Sequence, residues 1–189
     1  MIPAKKFYMI RHGQSVANEA QYFSGNLDVE LTDLGRRQAA QARDVVENLV
    51  DKPVRIVHSH LQRARHTAEI INQDLGLPIS ETPLLGEHHF GDWEKQPWDK
   101  IRPRFYAGEN PPNGETHQAF AERICEGLNQ ALGKGDDPVL IASHGGVFRA
   151  FYCLYDNFKN FERIENCVLY EFTPNDGNPD FPWDVKAVR

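Results

Sequence analysis

Apolar residues follow two rhythms along this chain: short continuous runs, and stretches where they recur every three or four positions. The first run lies in Lys6 to Ile10 and reads as a strand that stops at Arg11-His12-Gly13. Residues 14–30 are polar and read as a loop with a turn of helix. Leu31-Thr32 opens a helix with Thr32 as its N-cap, Ala42, Val45, Val46 and Leu49 on one face, and Pro53 beyond its end. Arg55 to Ser59 is a second strand. It leads into a helix with an apolar stripe of Leu61, Ala64, Ala68, Ile71 and Leu75, closed by Gly76. Leu77-Pro78-Ile79 begins a short extended piece.

Residues 88–115 break both rhythms. They hold four prolines together with Trp93, Trp98, Phe105 and Tyr106, the composition of a lid or substrate segment. A helix from Thr116 buries Phe120, Ile124, Leu128 and Ala131. Pro138 to Ala142 is an almost uninterrupted apolar run, as in a central parallel strand. It ends at Ser143-His144-Gly145-Gly146, before a helix burying Val147, Phe151 and Leu154. Cys167 to Phe172 and Trp183 to Val188 read as further strands around an acidic surface loop. This β-α-β-α order predicts an α/β fold: a three-layer α/β/α sandwich with a mostly parallel central sheet, as one domain over residues 1–189.

Composition narrows the function. The chain has 189 residues, of which 40% are hydrophobic and 25% charged, so it is expected to fold as a soluble globular domain. A formal net charge of -6 argues against a general nucleic-acid binder. Cys125, Cys153 and Cys167 are odd in number and lack C-x-x-C spacing, so neither a disulfide framework nor a zinc site is expected. The apolar run near the N-terminus is too short for a signal peptide or a membrane span. The expectation is a protein of the reducing cytoplasm without a membrane partner; nothing in the sequence sets an oligomeric state.

Three of the expected strands end in related chemistry: Arg11-His12-Gly13, Ser59-His60 with Arg63 one turn on, and Ser143-His144-Gly145-Gly146. In parallel strands these groups meet at one sheet edge, where open α/β folds bind ligands. Two histidines and two arginines without a thiolate suit a phosphate better than a metal. Guanidinium groups match phosphate oxygens in a fork, helix N-termini add N–H groups, and a near-neutral imidazole is a competent nucleophile toward phosphorus. His88-His89 is a poor chelate, because neighbours on an extended segment face opposite ways.

Four blocks carry a resemblance: Arg11-His12-Gly13-Gln14-Ser15 with Asn18; Leu31-Thr32-x-x-Gly35-x-x-Gln38-Ala39; Ser59-x-Leu61-x-Arg63-Ala64-x-x-Thr67-Ala68; and Ser143-His144-Gly145-Gly146. Together, over residues 7 to about 150, they resemble the histidine phosphatase (phosphoglycerate mutase-like) superfamily. The resemblance implies that His12 is the nucleophile and that Arg11 and Arg63 hold the phosphoryl oxygens. It makes His144 a cationic donor to the transferring group. Glu87, in Leu85-Gly86-Glu87, is the proton donor, with Glu94 as its competitor. Asn18 either contacts phosphate or caps its loop. No metal or other cofactor is implied, and the partner is a small phosphorylated substrate. Lys95, Lys100, Arg102 and Arg104 either meet an anionic tail or are ordinary surface charge.

Three activities are compatible with this pattern: a phosphatase, a phosphoglycerate mutase, and a noncatalytic module on the same fold. Retention of all five pocket residues disfavours the last. The segment Gly86 to Glu94 and the pair Gly145-Gly146 resemble the phosphatase branch; Lys95 departs from it, since a glycine is common after its Trp-Glu pair.

Overall fold

The computed structural model describes residues 2–155 and 164–189. A six-stranded sheet runs through its centre in the order β3-β2-β4-β1-β5-β6, with β1 Phe7–Arg11, β2 Arg55–Ser59, β3 Ile79–Thr82, β4 Val139–Ser143, β5 Leu169–Pro174 and β6 Trp183–Val188. The pairs β1–β4, β2–β4 and β2–β3 are parallel, while β5 is antiparallel to both β1 and β6. Side chains alternate across the sheet. Tyr8, Ile10, Leu140 and Ala142 pack against α2 (Asp33–Glu47) and α3 (Gln62–Asn72). Phe7, Met9, Val139 and Ile141 face α5 (His117–Leu132) and α6 (Gly145–Leu154). The expected three-layer sandwich is therefore present. Among the described residues, burying ten apolar side chains in the cluster on the α2/α3 face and twenty-one in the cluster on the α5/α6 face, at up to ~1.5–3 kcal/mol for each large one, is the main force that seats these helices.

Local signals act where the sequence placed them. Thr32 caps α2, its hydroxyl accepting from the Gly35 N–H at 3.1 Å, and Thr116 caps α5 through the Ala119 N–H. The short α1 (Val16–Glu19) starts in a capping box in which Ser15 and Asn18 each satisfy the other's backbone N–H. Among the described residues no helix is long and apolar enough to cross a membrane.

Three boundaries differ from the sequence reading. The α3 helix ends at Asn72, before Leu75, because the Asn72 side chain turns to bond both the N–H and the carbonyl of Leu77. The fifth strand starts at Leu169 rather than Cys167, whose φ of 54° lies in the left-handed region that interrupts a strand. The largest difference is inside 88–115, where residues Trp98–Tyr106 form a helix, α4. Pro97 sits at its N-cap, where a missing N–H costs nothing. Pro103 removes one internal bond. Burial of Ile101 and Phe105 against Phe90, Trp93 and Phe23 supplies the compensating energy.

Candidate active site

The parallel neighbours β2, β4 and β1 bring their carboxyl ends together, and with them His12, His144 and Arg63. His12 follows β1 directly. Its N–H donates to the Ser143 carbonyl at the end of β4, and its own carbonyl accepts from Asn166 Nδ2 at 2.7 Å. The next residue is clamped as well: the Gly13 N–H donates to Thr67 Oγ1. A Cβ on Gly13 would come within 2.3 Å of the Gly35 carbonyl oxygen, so the start of α2 presses on this turn and only glycine fits.

The His12 ring has one usable nitrogen. Nδ1 lies 2.7 Å from the Gly13 carbonyl, an acceptor only, so Nδ1 carries the proton and Nε2 keeps its lone pair. Burial, reinforced by the Arg63 and Arg11 guanidinium charges, holds the His12 pKa well below the usual histidine value. The ring is therefore neutral at physiological pH.

His144 lies beside it, with ring centroids 5.2 Å apart. Its Nε2 is 2.8 Å from Ser59 Oγ. That oxygen also accepts the Leu61 N–H; with its own proton donated to Nε2, the neutral His144 ring carries its proton on Nδ1. Burial first, then Arg63, pushes the His144 pKa well below normal. Burial among positive neighbours disfavours a further charge on this ring, so a cationic His144 requires a phosphoryl anion beside it.

Arg63 is fully buried. Nη1 and Nη2 donate to the carbonyls of Leu27 and Gly25, both at 2.8 Å. Burial lowers its pKa to about 10, so it stays charged at neutral pH. Arg63 Nε and His144 Nδ1 are buried and find no hydrogen-bond partner among the described residues. A buried donor left without an acceptor costs about 1–3 kcal/mol. Arg11 lines the adjoining cleft and donates to the Ile164 carbonyl through Nη1.

The two candidate glutamates part company. Glu87 lines the cleft; its carboxylate accepts the Gly146 N–H at the start of α6 and the His88 N–H. Glu94 is mostly buried outside the cleft lining, where Oε1 accepts the N–H groups of Asn26 and Phe90. It ties the loop after α1 to the segment before α4. Asn18 takes the capping role, its Oδ1 closing the capping box, and the residue also lines the cleft.

Sequence reasoning missed Asn166 and Arg123. Asn166 bonds both His12 and Asn18. Arg123 gathers the carbonyls of Leu84, Gly86 and Glu87 while pairing with Glu115 at 2.7 Å, and so fixes the segment that carries Glu87. Neither residue sits in a motif, and their partners are remote in sequence, so no local pattern identifies them. His88, weighed as a metal ligand, is instead stacked between Phe120 and Phe90, with Nε2 2.7 Å from the Glu115 carbonyl. Among the described residues no group of three or more His, Cys, Asp or Glu side chains comes together to hold a metal ion.

The cleft has a volume of about 430 Å³. Beyond His12 and Glu87 its walls come from Phe23 and Phe90 and from one face of α4: Trp98, Arg102, Phe105 and Tyr106. Trp93 packs behind this wall in a small apolar core. Of the four cations weighed in this segment, only Arg102 lines the cleft.

Comparison with known proteins agrees with this geometry. The family model of the histidine phosphatase superfamily (branch 1) matches residues 7–183. A glucosyl-3-phosphoglycerate phosphatase of Mycolicibacterium vanbaalenii is 31% identical over 163 residues, 77% of this chain and 72% of that protein. An uncharacterised phosphatase of Bacillus subtilis is 37% identical over 145 residues, 75% of this chain and 72% of that protein. Among solved structures, a mycobacterial glucosyl-3-phosphoglycerate phosphatase in complex with VO3 superposes with a TM-score of 0.78 at 26% identity, covering 97% of each chain.

Proposed function

The chain belongs to the histidine phosphatase superfamily (branch 1), and on that footing we propose that it hydrolyses a small phosphate monoester through a phosphohistidine on His12. The observation that carries this reading is the state of the His12 ring. The Gly13 carbonyl accepts the Nδ1–H hydrogen bond, and burial with positive neighbours keeps the ring neutral, so Nε2 presents a lone pair to the cleft. The buried donors without partners, Arg63 Nε and His144 Nδ1, supply hydrogen bonds for phosphoryl oxygens there.

The reaction is two in-line displacements. In the first, the Nε2 lone pair forms a bond to phosphorus as the ester P–O bond breaks, and Glu87 gives its proton to the leaving alkoxide oxygen. In the second, Glu87 takes a proton from water, whose oxygen attacks phosphorus. The P–N bond breaks, returning neutral His12, protonated Glu87 and inorganic phosphate. Arg11, Arg63 and His144 meet the charge on the equatorial oxygens, so the scheme needs no metal ion. The segment 88–115 serves as the substrate wall. The phosphatase names of both relatives favour hydrolysis over the mutase alternative.

The test is phosphate release from a chromogenic aryl phosphate, with an alkaline denaturing quench to trap the intermediate. An acid-labile, base-stable phosphoenzyme is expected. It disappears in His12→Ala, and turnover falls by at least about 10⁵, the scale for losing a nucleophile. Full turnover in that variant would sink the reading. Rapid isomerisation of 3-phosphoglycerate with its bisphosphate, without comparable phosphate release, would establish the mutase instead.

A further inference from the structure

The cleft is larger than the phosphoryl group that its inner end would hold. Its volume of about 430 Å³ falls in the range that accommodates a whole small molecule. Outside the reach of His12 the lining changes character. Trp98, Arg102, Phe105 and Tyr106 sit at helical spacing on α4 and turn one face into the cleft. Arg149, from α6, lies opposite with its guanidinium 4.5 Å from the Phe105 ring centre. This outer region therefore presents ring faces and two guanidinium groups. Among the described residues the one carboxylate in the cleft lining, Glu87, is held at the inner end by the Gly146 N–H.

The surroundings of Arg102 separate it from the other cations of its segment. Arg104 is paired with Glu109, and Lys100 donates to Gln96. The Arg102 guanidinium instead lies 4.4 Å from the Trp98 ring centre, and no carboxylate of the described residues pairs with it. Stacking on tryptophan fixes the plane of a guanidinium and leaves its N–H edge available for a planar anion.

We propose that Arg102 is a specificity residue, binding a second anionic group, a carboxylate or a further phosphate, on the alcohol part of the substrate. This rests on the phosphatase reading and narrows its substrate class. The substrate is a phosphate monoester whose alcohol carries a flat or ring-faced body and a negative charge at its far end. The body lies against Trp98 and Phe105, and Arg149 adds positive potential at the same end. In a chain of net charge -6 this concentration of arginine in one cleft also draws esters with an anionic tail in preference to the neutral-tailed kind.

The experiment uses two aryl phosphates that differ only in tail charge: the phenolic phosphate ester of para-hydroxyphenylpropanoic acid and that of its primary amide. Phenol acidity and size are closely matched, so the ratio of their kcat/KM values reports the tail. The wild-type protein is expected to favour the acid by about tenfold, the scale of one hydrogen-bonded charge. Arg102→Gln should bring the ratio close to one, and Arg102→Lys should restore part of it. Arg37→Gln, on the exposed face of α2, should leave both rates as they are. A wild-type ratio near one overturns the inference while the phosphatase reading stands. A ratio that survives in Arg102→Gln overturns the assignment of Arg102. Release of phosphate from neither ester overturns the phosphatase reading and this inference with it.

Discussion

The two ends of the cleft are built on opposite plans. At the inner end each group is tied to backbone: His12 to Ser143, Gly13 and Asn166, Arg63 to Gly25 and Leu27, and Glu87 to Gly146 and His88. At the outer end the wall consists largely of ring faces, three of them on a helix interrupted by Pro103, and Tyr106 there is 58% exposed. A site whose donors are held before the substrate arrives loses little to reorganisation during reaction. A wall of stacked rings offers area without fixed directions and accepts more than one shape. In the proposed function the inner end would set the reaction and the outer end which ester enters.

The largest test of this division sets Glu87 against Glu94. Glu87→Gln removes the proposed proton donor and is expected to lower kcat roughly 10²–10⁴-fold for every ester. Glu94→Ala removes the acceptor for the Asn26 and Phe90 N–H groups. It should cost about 1–3 kcal/mol of stability, with a far smaller loss of kcat. Equal kcat losses in the two variants, measured under conditions where both are folded, would erase the distinction between chemistry and scaffold.

A second test concerns His88, which joins the two ends by stacking on Phe120 and Phe90. Burial, only partly offset by the Glu115 carbonyl, lowers its pKa from 6.5 to about 4. The unfolded chain therefore binds more protons than the folded one between these values, and stability falls as pH falls. The expected cost is about 3 kcal/mol on going from pH 6.5 to pH 4. His12 and His144, also lowered, act in the same direction. Denaturant titrations across this range check the slope; constant stability from neutral pH to pH 4 would show that the joint is not built on a buried neutral imidazole.

The smallest expected effect sharpens the inner end. A Cβ on Gly146 would stand 1.9 Å from Glu87 Oε1. Gly146→Ala should displace that carboxylate and cost about tenfold in kcat while leaving the fold intact, since the atom it meets is the end of a flexible side chain. Unchanged kcat would mean that Glu87 tolerates more than one position.

Much of this arrangement is legible in the residue order. Thr32 and Thr116 cap the helices they precede, and the apolar runs at Phe7 and Val139 become adjacent parallel strands. Where the reading stopped short, a distant partner decides. The α4 helix forms despite Pro103 because Ile101 and Phe105 find Phe23, Phe90 and Trp93 to pack on. The charge state of His144 depends on Arg63, His12 and the loss of water around it, none of which a strand-end motif records.

By itself the sequence determined the layers of the sandwich, the sheet edge where the strands ending in His12, Ser59 and His144 converge, and the family. Periodicity, caps and the order of short motifs are local properties written along the chain. Only the tertiary structure decided which glutamate reaches the cleft, which nitrogen of His12 is bare and which cation of the irregular segment faces inward. Those depend on distances between residues far apart in sequence and on burial, which removes the water that otherwise screens charge and satisfies donors. Arg123, gathering three carbonyls around Glu87 from a helix more than thirty residues away, is that kind of fact.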